Sequence, residues 1–148
     1  MPGTLDHTPA DIVRELLIGL ALGTDPDDSG AWPVFSPNEP DLPDEMIAVS
    51  DTQGRDGGRT APDNERAEHQ GIQVMVRGKT SPRGWVKANA IAIALDTVWN
   101  RNVTMDSSEY TVYGIMRTGN VLPLGKAVPE SRRWMFSINA IVSISKTN

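Results

Sequence analysis

The alternation of apolar and polar side chains is strongest near the C-terminus, between Arg133 and Ile144. Six apolar residues of this stretch share one parity: Trp134, Phe136, Ile138, Ala140, Val142 and Ile144. A period of two predicts a β-strand with one buried face. The other parity is mixed and holds Met135, Ser137, Asn139, Ile141 and Ser143. We therefore expect one long strand whose neighbours in the sheet come from the rest of the chain.

Shorter stretches show the same spacing. Further strands are predicted at 46–51, 71–78 and 110–118. Residues 32–35 predict a short edge strand, because prolines surround them and remove ladder donors.

Three segments lack a regular period. Residues 24–45 contain five prolines, which exclude a helix. Residues 52–70 combine glycines with many charges and predict a long polar loop, a feature that is usually functional or disordered. Residues 121–129 are expected to be irregular.

Two helices are predicted from their start signals. Thr8-Pro9 predicts a helix from Pro9 to Leu22, with Gly23 as its stop. Ser81-Pro82 predicts a second helix that runs to about Asn100. Its expected buried stripe is Trp85, Ala88, Ile91, Leu95, Val98 and Trp99.

Length and composition indicate one domain with a real core, since the chain has 148 residues. The elements predict an α+β domain. Cysteine is absent, so disulfides and cysteine-bound metals are excluded. The N-terminus lacks the pattern of a signal peptide, and the longest apolar run, Leu16–Leu22, is too short to cross a bilayer.

The net charge of −5 is unevenly distributed along the chain. Residues 1–70 hold 15 acidic and 4 basic side chains, whereas residues 71–148 hold 4 acidic and 10 basic ones. Three interpretations stay open: the halves pair within one molecule, they pair head-to-tail between identical subunits, or both are solvated faces.

Two ligand motifs are incomplete. Gly78-Lys79-Thr80 lies between a predicted strand and a helix, but a phosphate-binding loop requires glycine where the chain has Gln73. Asp25, Asp27, Ser29 and Gly30 match the opening of a calcium loop, whereas its twelfth position is Ser36 instead of glutamate. We therefore expect neither a nucleotide nor a calcium ion, and no cofactor.

Catalytic groups are sparse. His7 and His69 are far apart in the sequence, so a serine nucleophile has no evident activator and a zinc site lacks ligands. The loop acids allow a carboxylate pair or a magnesium site in principle, although an acidic surface loop is the simpler interpretation: Asp51, Asp56, Asp63, Glu65 and Glu68.

Five arginines are the basic residues expected to make contacts: Arg55, Arg59, Arg66, Arg132 and Arg133. They serve solubility, or they form salt bridges to an acidic face of a neighbouring subunit or partner. Direct nucleic-acid binding is less expected, because no stretch interleaves aromatics with dense basic residues and the chain is acidic.

Three stretches resemble a known family. Pro40-Asp41-Leu42-Pro43-Asp44-Glu45-Met46-Ile47-Ala48-Val49-Ser50-Asp51-Thr52-Gln53-Gly54 is similar to a segment of bacteriophage minor capsid proteins thought to act as tail terminators. Glu68-His69-Gln70-Gly71-Ile72-Gln73-Val74-Met75-Val76-Arg77-Gly78 resembles the strand after the flexible loop of that family. Arg133-Trp134-Met135-Phe136-Ser137-Ile138-Asn139 resembles its final strand. The resemblance extends from about Thr8 to Ile144.

The resemblance implies an α+β fold with an antiparallel sheet of about four to five strands and two main helices packed on one face. It also implies a structural role in the virion, without enzyme activity. It implies a homohexameric ring at the head-proximal end of the tail, assembled in the host cytoplasm. Such a ring caps the last ring of tube protein, stops polymerisation and contacts the neck or connector protein, while DNA passes through its lumen without sequence-specific binding. No membrane is involved. A neck or head-closure protein is the alternative, and a small metal-dependent hydrolase is a distant one.

We expect subunit or partner contacts at the polar loop and along the last strand. The candidate residues are Arg55, Arg59, Arg66, Glu65, Glu68, Arg132, Arg133, Met135 and Asn139.

Overall fold

The computed structural model describes residues 5–37, 39–41, 43–60, 65–126 and 133–147, with side chains left out at 54–60 and 65–68. Two helices and seven strands follow one another along the chain. They are α1 (Pro9–Gly19), β1 (Val34–Phe35), β2 (Met46–Thr60), β3 (Glu65–Gly78), α2 (Ser81–Asp96), β4 (Trp99–Met105), β5 (Ser108–Arg117), β6 (Leu122–Lys126) and β7 (Trp134–Lys146).

All seven strands form one sheet in the order β1-β2-β3-β7-β5-β4, with β6 also beside β7. The long C-terminal strand β7 is the centre of this arrangement. It pairs with β3 from Gly78↔Trp134 to Glu68↔Ile144, and its other edge is shared by β6 and β5. Neighbouring strands are antiparallel except β1 and β2, which are parallel.

The expected α+β fold with four to five strands is wrong. The protein is mostly β, with seven strands in a sheet curled into half a barrel and only two short helices. Strand β4 occupies the predicted end of the second helix and the following turn, and β6 occupies the region expected to be irregular. Both strands have exposed, mixed side chains, so neither shows the apolar alternation of a half-buried strand.

The expected polar loop is wrong for most of its length. Strands β2 and β3 continue into it and pair as a β-hairpin, which we call the hairpin arm (residues 52–60 and 65–69). Its register includes Arg55↔His69 and Arg59↔Arg66, with two register shifts along β2. The arm continues the strands of the core, so its pairing begins in a register that β2 and β3 have already set.

The helices begin where the sequence predicts. The hydroxyl of Thr8 accepts from the amide of Asp11 at 3.2 Å and caps α1. However, α1 ends at Gly19, and the left-handed residue after it is Ala21, with φ of 59°. Helix α2 ends at Asp96, because the chain enters β4 at Trp99.

One core lies between the sheet and the helices. The apolar parity of β7 is confirmed: its members from Phe136 to Ile144 are buried. They pack in one cluster with α1, α2 and alternate residues of β3, namely Ile72, Val74 and Val76. Burial of these rows sets the register of the sheet, because a slip by one residue would expose them.

The proline-rich segment begins with a closed excursion, the 25–31 turn. Its two ends meet at a bridge between Thr24 and Pro33. The amide of Thr24 donates to the carbonyl of Trp32 at 3.0 Å, and the amide of Val34 donates to the carbonyl of Thr24 at 2.9 Å. The short strand β1 that follows confirms the expected edge strand at residues 34–35.

The start of α2 crosses close to the end of β3 at two glycines. A Cβ at Gly78 would lie 2.7 Å from the backbone of Gly84, and a Cβ at Gly84 would lie 2.5 Å from the Phe136 ring. These separations are shorter than a van der Waals contact, so both positions require glycine.

We expect Gly78→Ala to destabilise the fold by about 1–3 kcal/mol, because the added methyl meets backbone atoms that move only if α2 moves. Urea unfolding followed by circular dichroism measures the loss. Gly119→Ala is the matched control, since a Cβ there has no neighbour within 4 Å. Equal stability of the two variants would contradict the close approach.

Candidate assembly surfaces

The predicted contact residues fall into two groups. Arg55 and Arg59 lie on the β2 strand of the hairpin arm, and Glu65, Arg66 and Glu68 lie on its β3 strand. The structure therefore brings these five positions together on one projecting hairpin. Their side chains lie outside the described part of the chain.

The second group is at β7. Arg132 lies outside the described residues. Arg133 immediately precedes β7, Met135 is half-buried near its start, and Asn139 is exposed at its middle. The carbonyl of Asn139 accepts from the amide of Thr118 at 2.9 Å, which continues the sheet past β5. Arm and β7 positions do not form one site, so they remain predictions for two separate surfaces.

Arg77 holds the proline-rich segment against the end of the sheet. Its side chain is only 3% exposed and donates through Nη1 to Glu39 at 2.7 Å. Its Nε donates to the carbonyl of Asp44 at 3.1 Å, and its Nη2 donates to the carbonyls of Asp41, at 3.0 Å, and of Pro43. One guanidinium thus satisfies three backbone acceptors and a carboxylate.

Arg133 holds the same segment from the neighbouring strand. Its Nε donates to Asp44 at 2.7 Å, and its Nη1 donates to Asp41 at 3.1 Å. The hydrogen bonds that Arg133 donates, chiefly to Asp44 and then to Asp41, raise the pKa of its guanidinium. We call Arg77, Arg133 and residues 39–45 the arginine clasp. It joins all three stretches on which the family resemblance rests.

The clasp also shows where part of the uneven charge goes. Among the described residues, five ion pairs join the acidic first half to the basic second half within one molecule: Arg77–Glu39, Arg83–Glu45, Arg133–Asp41, Arg133–Asp44 and Lys146–Asp6. Pairing within the monomer therefore accounts for these charges. The charged side chains of the hairpin arm lie outside the described part of the structure, so this finding does not extend to them.

Glu45 extends the clasp towards α2. Arg83 donates to its two carboxylate oxygens at 2.6 and 2.8 Å, and these bonds lower the pKa of Glu45. Beside it, the ammonium of Lys87 lies 5.4 Å from the centre of the Trp32 ring and donates to the carbonyl of Leu22 at 2.8 Å. Burial lowers the pKa of Lys87. The contacts of Lys87 attach the residues on either side of the 25–31 turn, Leu22 and Trp32, to α2.

The histidines and Asp51 have structural contacts. The carboxylate of Asp51 accepts from the amide of Ala10 at 2.9 Å, in the first turn of α1, where a negative charge is favourable. The hydroxyl of buried Tyr110 lies 2.7 Å from Nδ1 of His7. Nδ1 of His69 lies 2.8 Å from the hydroxyl of Ser143. The two histidines therefore lie in separate places.

The described residues hold no group of three or more histidine and acidic side chains arranged to bind a metal. Within the incomplete calcium motif, the carboxylate of Asp25 accepts from the amide of Asp27 at 3.0 Å and lies 3.4 Å from the guanidinium of Arg14. Among all the residues that the structure describes, no helix is long and apolar enough to span a membrane.

Several large apolar side chains are exposed. Trp85, Val86 and Ile93 lie on α2, Trp99 opens β4, Met116 is on β5, and Leu122 and Leu124 are on β6. The sequence interpretation placed Trp85 and Trp99 in the buried stripe, but they are 44% and 77% exposed. Exposed apolar groups of this size are typical of protein contact surfaces.

Sequence reasoning missed the clasp and the exposed face of α2. Arg77 has the parity of β3 opposite to that of Ile72, Val74 and Val76, where a charge is ordinarily solvated. The available signal was the run of acids and prolines at 39–45, since a segment poor in amide donors needs external ones. On α2, the signal was the second apolar series Val86, Ala90 and Ile93, outside the predicted stripe.

We expect Arg77→Met to destabilise the fold by about 2–4 kcal/mol, since the methionine keeps the apolar stem but removes every donor to the segment. Chemical denaturation measures the loss, and limited proteolysis detects release of residues 39–45. Arg101→Met, at an exposed arginine, is the control and should change stability by less than about 0.5 kcal/mol. Similar effects of both variants would contradict the clasp.

The Glu45–Arg83 pair predicts a dependence of stability on pH. Because the folded pKa of Glu45 is lowered, its contribution is complete above about pH 5 and is lost as pH falls below about 4. The stability difference between wild type and Glu45→Gln should therefore shrink in acid. Arg83→Met should reproduce this behaviour in denaturation curves taken across that range. A difference that persists unchanged at low pH would contradict the assignment.

A family model described as bacteriophage tail terminator protein matches residues 16–146. No curated protein matches the chain. The matched range includes the proline-rich segment, the hairpin arm, the clasp and β7, and thus nearly every element of the sheet. The chain therefore belongs to the bacteriophage tail terminator family, whose members are structural proteins of the phage tail.

Proposed function

We propose that this protein forms a ring of identical copies that caps the tail tube, stops its polymerisation and provides the tail-side surface for joining to the head. The observation that carries the proposal is the family match over residues 16–146. On this proposal the protein is located at the tail–neck junction of the virion, after assembly in the host cytoplasm. A hexamer is the proposed stoichiometry, and genomic DNA passes through the opening without sequence-specific contacts.

Two kinds of exposed surface support an assembly role. The hairpin arm continues two core strands beyond Glu68, where the pairing of β3 with β7 ends, and its sequence carries charges of both signs. The outward face of α2 is apolar, with Val86 at 67% and Ile93 at 65% exposure. A ring protein that also contacts tube and neck needs separate surfaces for copies of itself and for other partners.

We propose that the protein acts by shape and contact and catalyses no reaction. Among the described acids, those with a lowered pKa owe it chiefly to a hydrogen bond from a basic partner: Asp6 from Lys146, Glu45 from Arg83 and Asp96 from Arg117. These are surface ion pairs, in which both charges are already used. A general acid or base requires a perturbed group that is open to a substrate.

Electron microscopy of the purified protein, alone and with tube protein, tests the ring. We expect rings of uniform size and tubes that stop growing once their ends are capped. Phages lacking the protein should make tails of irregular length that do not join heads. A particle that stays monomeric with tube protein present would contradict the proposal, and binding to portal instead of tube would indicate a neck protein.

The exposed face of α2 gives a mutational test. Ile93→Asp should leave the monomer within about 0.5 kcal/mol of wild-type stability, because the side chain is 65% exposed. It should nevertheless reduce assembly with copies or tube, since a charge enters a contact that is otherwise apolar. Sedimentation velocity and tube-capping assays measure the effect. Asn120→Asp, in an exposed turn, adds the same charge as a control.

A further inference from the structure

The sheet has two open edges. In the part of the chain that the structure describes, β4 pairs only with β5 and has no strand on its other side. Beyond Ala48, β2 pairs only with β3 within the same described ranges. One molecule therefore presents two rows of unpaired backbone groups at opposite ends of its strand order, which permits a head-to-tail contact.

The direction of the β4 backbone groups follows from the turn that joins it to β5. Met105 and Ser108 flank a two-residue turn, so they form the hydrogen-bonded pair that closes the hairpin. Hydrogen-bonded and open pairs alternate along antiparallel strands. Asn102 and Thr104 are thus in open pairs, and their N–H and C=O groups point away from β5 towards the free edge.

From Arg101 to Met105 the β4 edge has few of the features that usually prevent pairing, although Asn100, with φ of 45°, interrupts the regular strand just before it. The strand contains no proline or lysine, and Arg101 is its single charged residue. Residues Asn100, Asn102 and Thr104 are exposed, and Trp99 is 77% exposed at the start of the strand. An edge of this kind pairs readily with a strand of another chain. Its lack of protection is therefore expected where a partner strand covers it.

The hairpin arm supplies a strand of suitable length. Its β2 side runs from Thr52 to Thr60, which is longer than the seven residues of β4. It also lacks proline. Because β2 and β3 are already paired with each other, the arm reaches a neighbour as formed β-structure and loses little further conformational freedom.

We propose that the free edge of β4 in one copy accepts the β2 edge of the arm of the next copy as an added strand. The sheets of neighbouring copies then join edge to edge around the ring. Each copy donates one edge and accepts another, which is the contact that a closed cyclic assembly requires. This inference rests on the proposed ring and specifies which surfaces form its contact.

The first test blocks the acceptor edge. Asn102→Pro removes an outward amide without removing a bond of the β4–β5 ladder, and proline is tolerated at such edge positions. Asn102→Ala is the matched control, because both variants lose the side-chain contact with Thr111 but only the alanine keeps the amide. We expect about tenfold weaker association for the proline variant and rings for the alanine variant in sedimentation velocity and microscopy.

The second test uses the two-sided nature of the contact. Replacing residues 56–68 by Asn-Gly joins the paired residues Arg55 and His69 through a two-residue turn, which removes most of the donor edge and keeps His69 paired with Ser143 of β7. The Asn102→Pro variant keeps the donor edge, and the arm-deleted variant keeps the acceptor edge. A mixture with Asn102→Pro should therefore form dimers and nothing larger, while each variant alone stays monomeric. Circular dichroism of both variants verifies that the monomer is folded.

The outcomes separate this inference from the proposed function. Rings of Asn102→Pro as abundant as those of wild type, or a mixture that stays monomeric, would overturn the edge pairing while leaving the ring intact. Wild-type protein that forms no ring with tube protein present would overturn both proposals. Loss of rings in both the proline and the alanine variant would assign the contact to the Asn102 side chain and also overturn the pairing.

Discussion

The buried guanidinium of Arg77 is the constraint on which the arrangement of the first half of the chain depends. A segment with prolines at 37, 40 and 43 cannot form a regular ladder, yet its carbonyl groups still need donors. Arg77 supplies them from the end of β3. The segment then covers the sheet face opposite the main core, where Met46 and Ala48 are buried without belonging to the core cluster.

This arrangement explains how a half-barrel can be stable with two short helices. The helices cover one face of the sheet, and the clasp fixes an irregular segment over part of the other. The hydrogen bonds to Arg77 compensate for the cost of burying its charge, because Glu39 and three carbonyls surround it. Arg133 adds a second attachment at the start of the central strand, so the segment is tied to two adjacent strands.

The sequence was informative where burial on one face dictates the pattern. The parity of β7, the start of α1 at Thr8 and the strands near 47 and 74 all follow from local periodicity and capping. The second helix is capped by Thr80, one residue before the predicted cap Ser81. The sequence analysis did not predict strands β4 and β6, because mostly exposed strands lack the alternation of apolar and polar residues. The arm was predicted as a loop because glycines and charged residues are typical of loops. Its strands form because they continue β2 and β3, whose pairing in the core sets their register. The structure places five of the predicted contact residues together on the arm as backbone positions, and their role in contacts stays a prediction. The intramolecular role of Arg133 could not be read from local sequence, because 89 residues separate it from Asp44.

The 25–31 turn has a practical value for studying this protein inside a whole phage particle. Its ends are fixed to each other by the Thr24–Pro33 bridge, and residues 27–31 are exposed. Lengthening a loop whose ends are already held together costs little, because closure entropy grows only with the logarithm of length. A short epitope or fluorophore-binding peptide inserted there would mark the molecule for imaging in assembled particles without a fusion to either terminus.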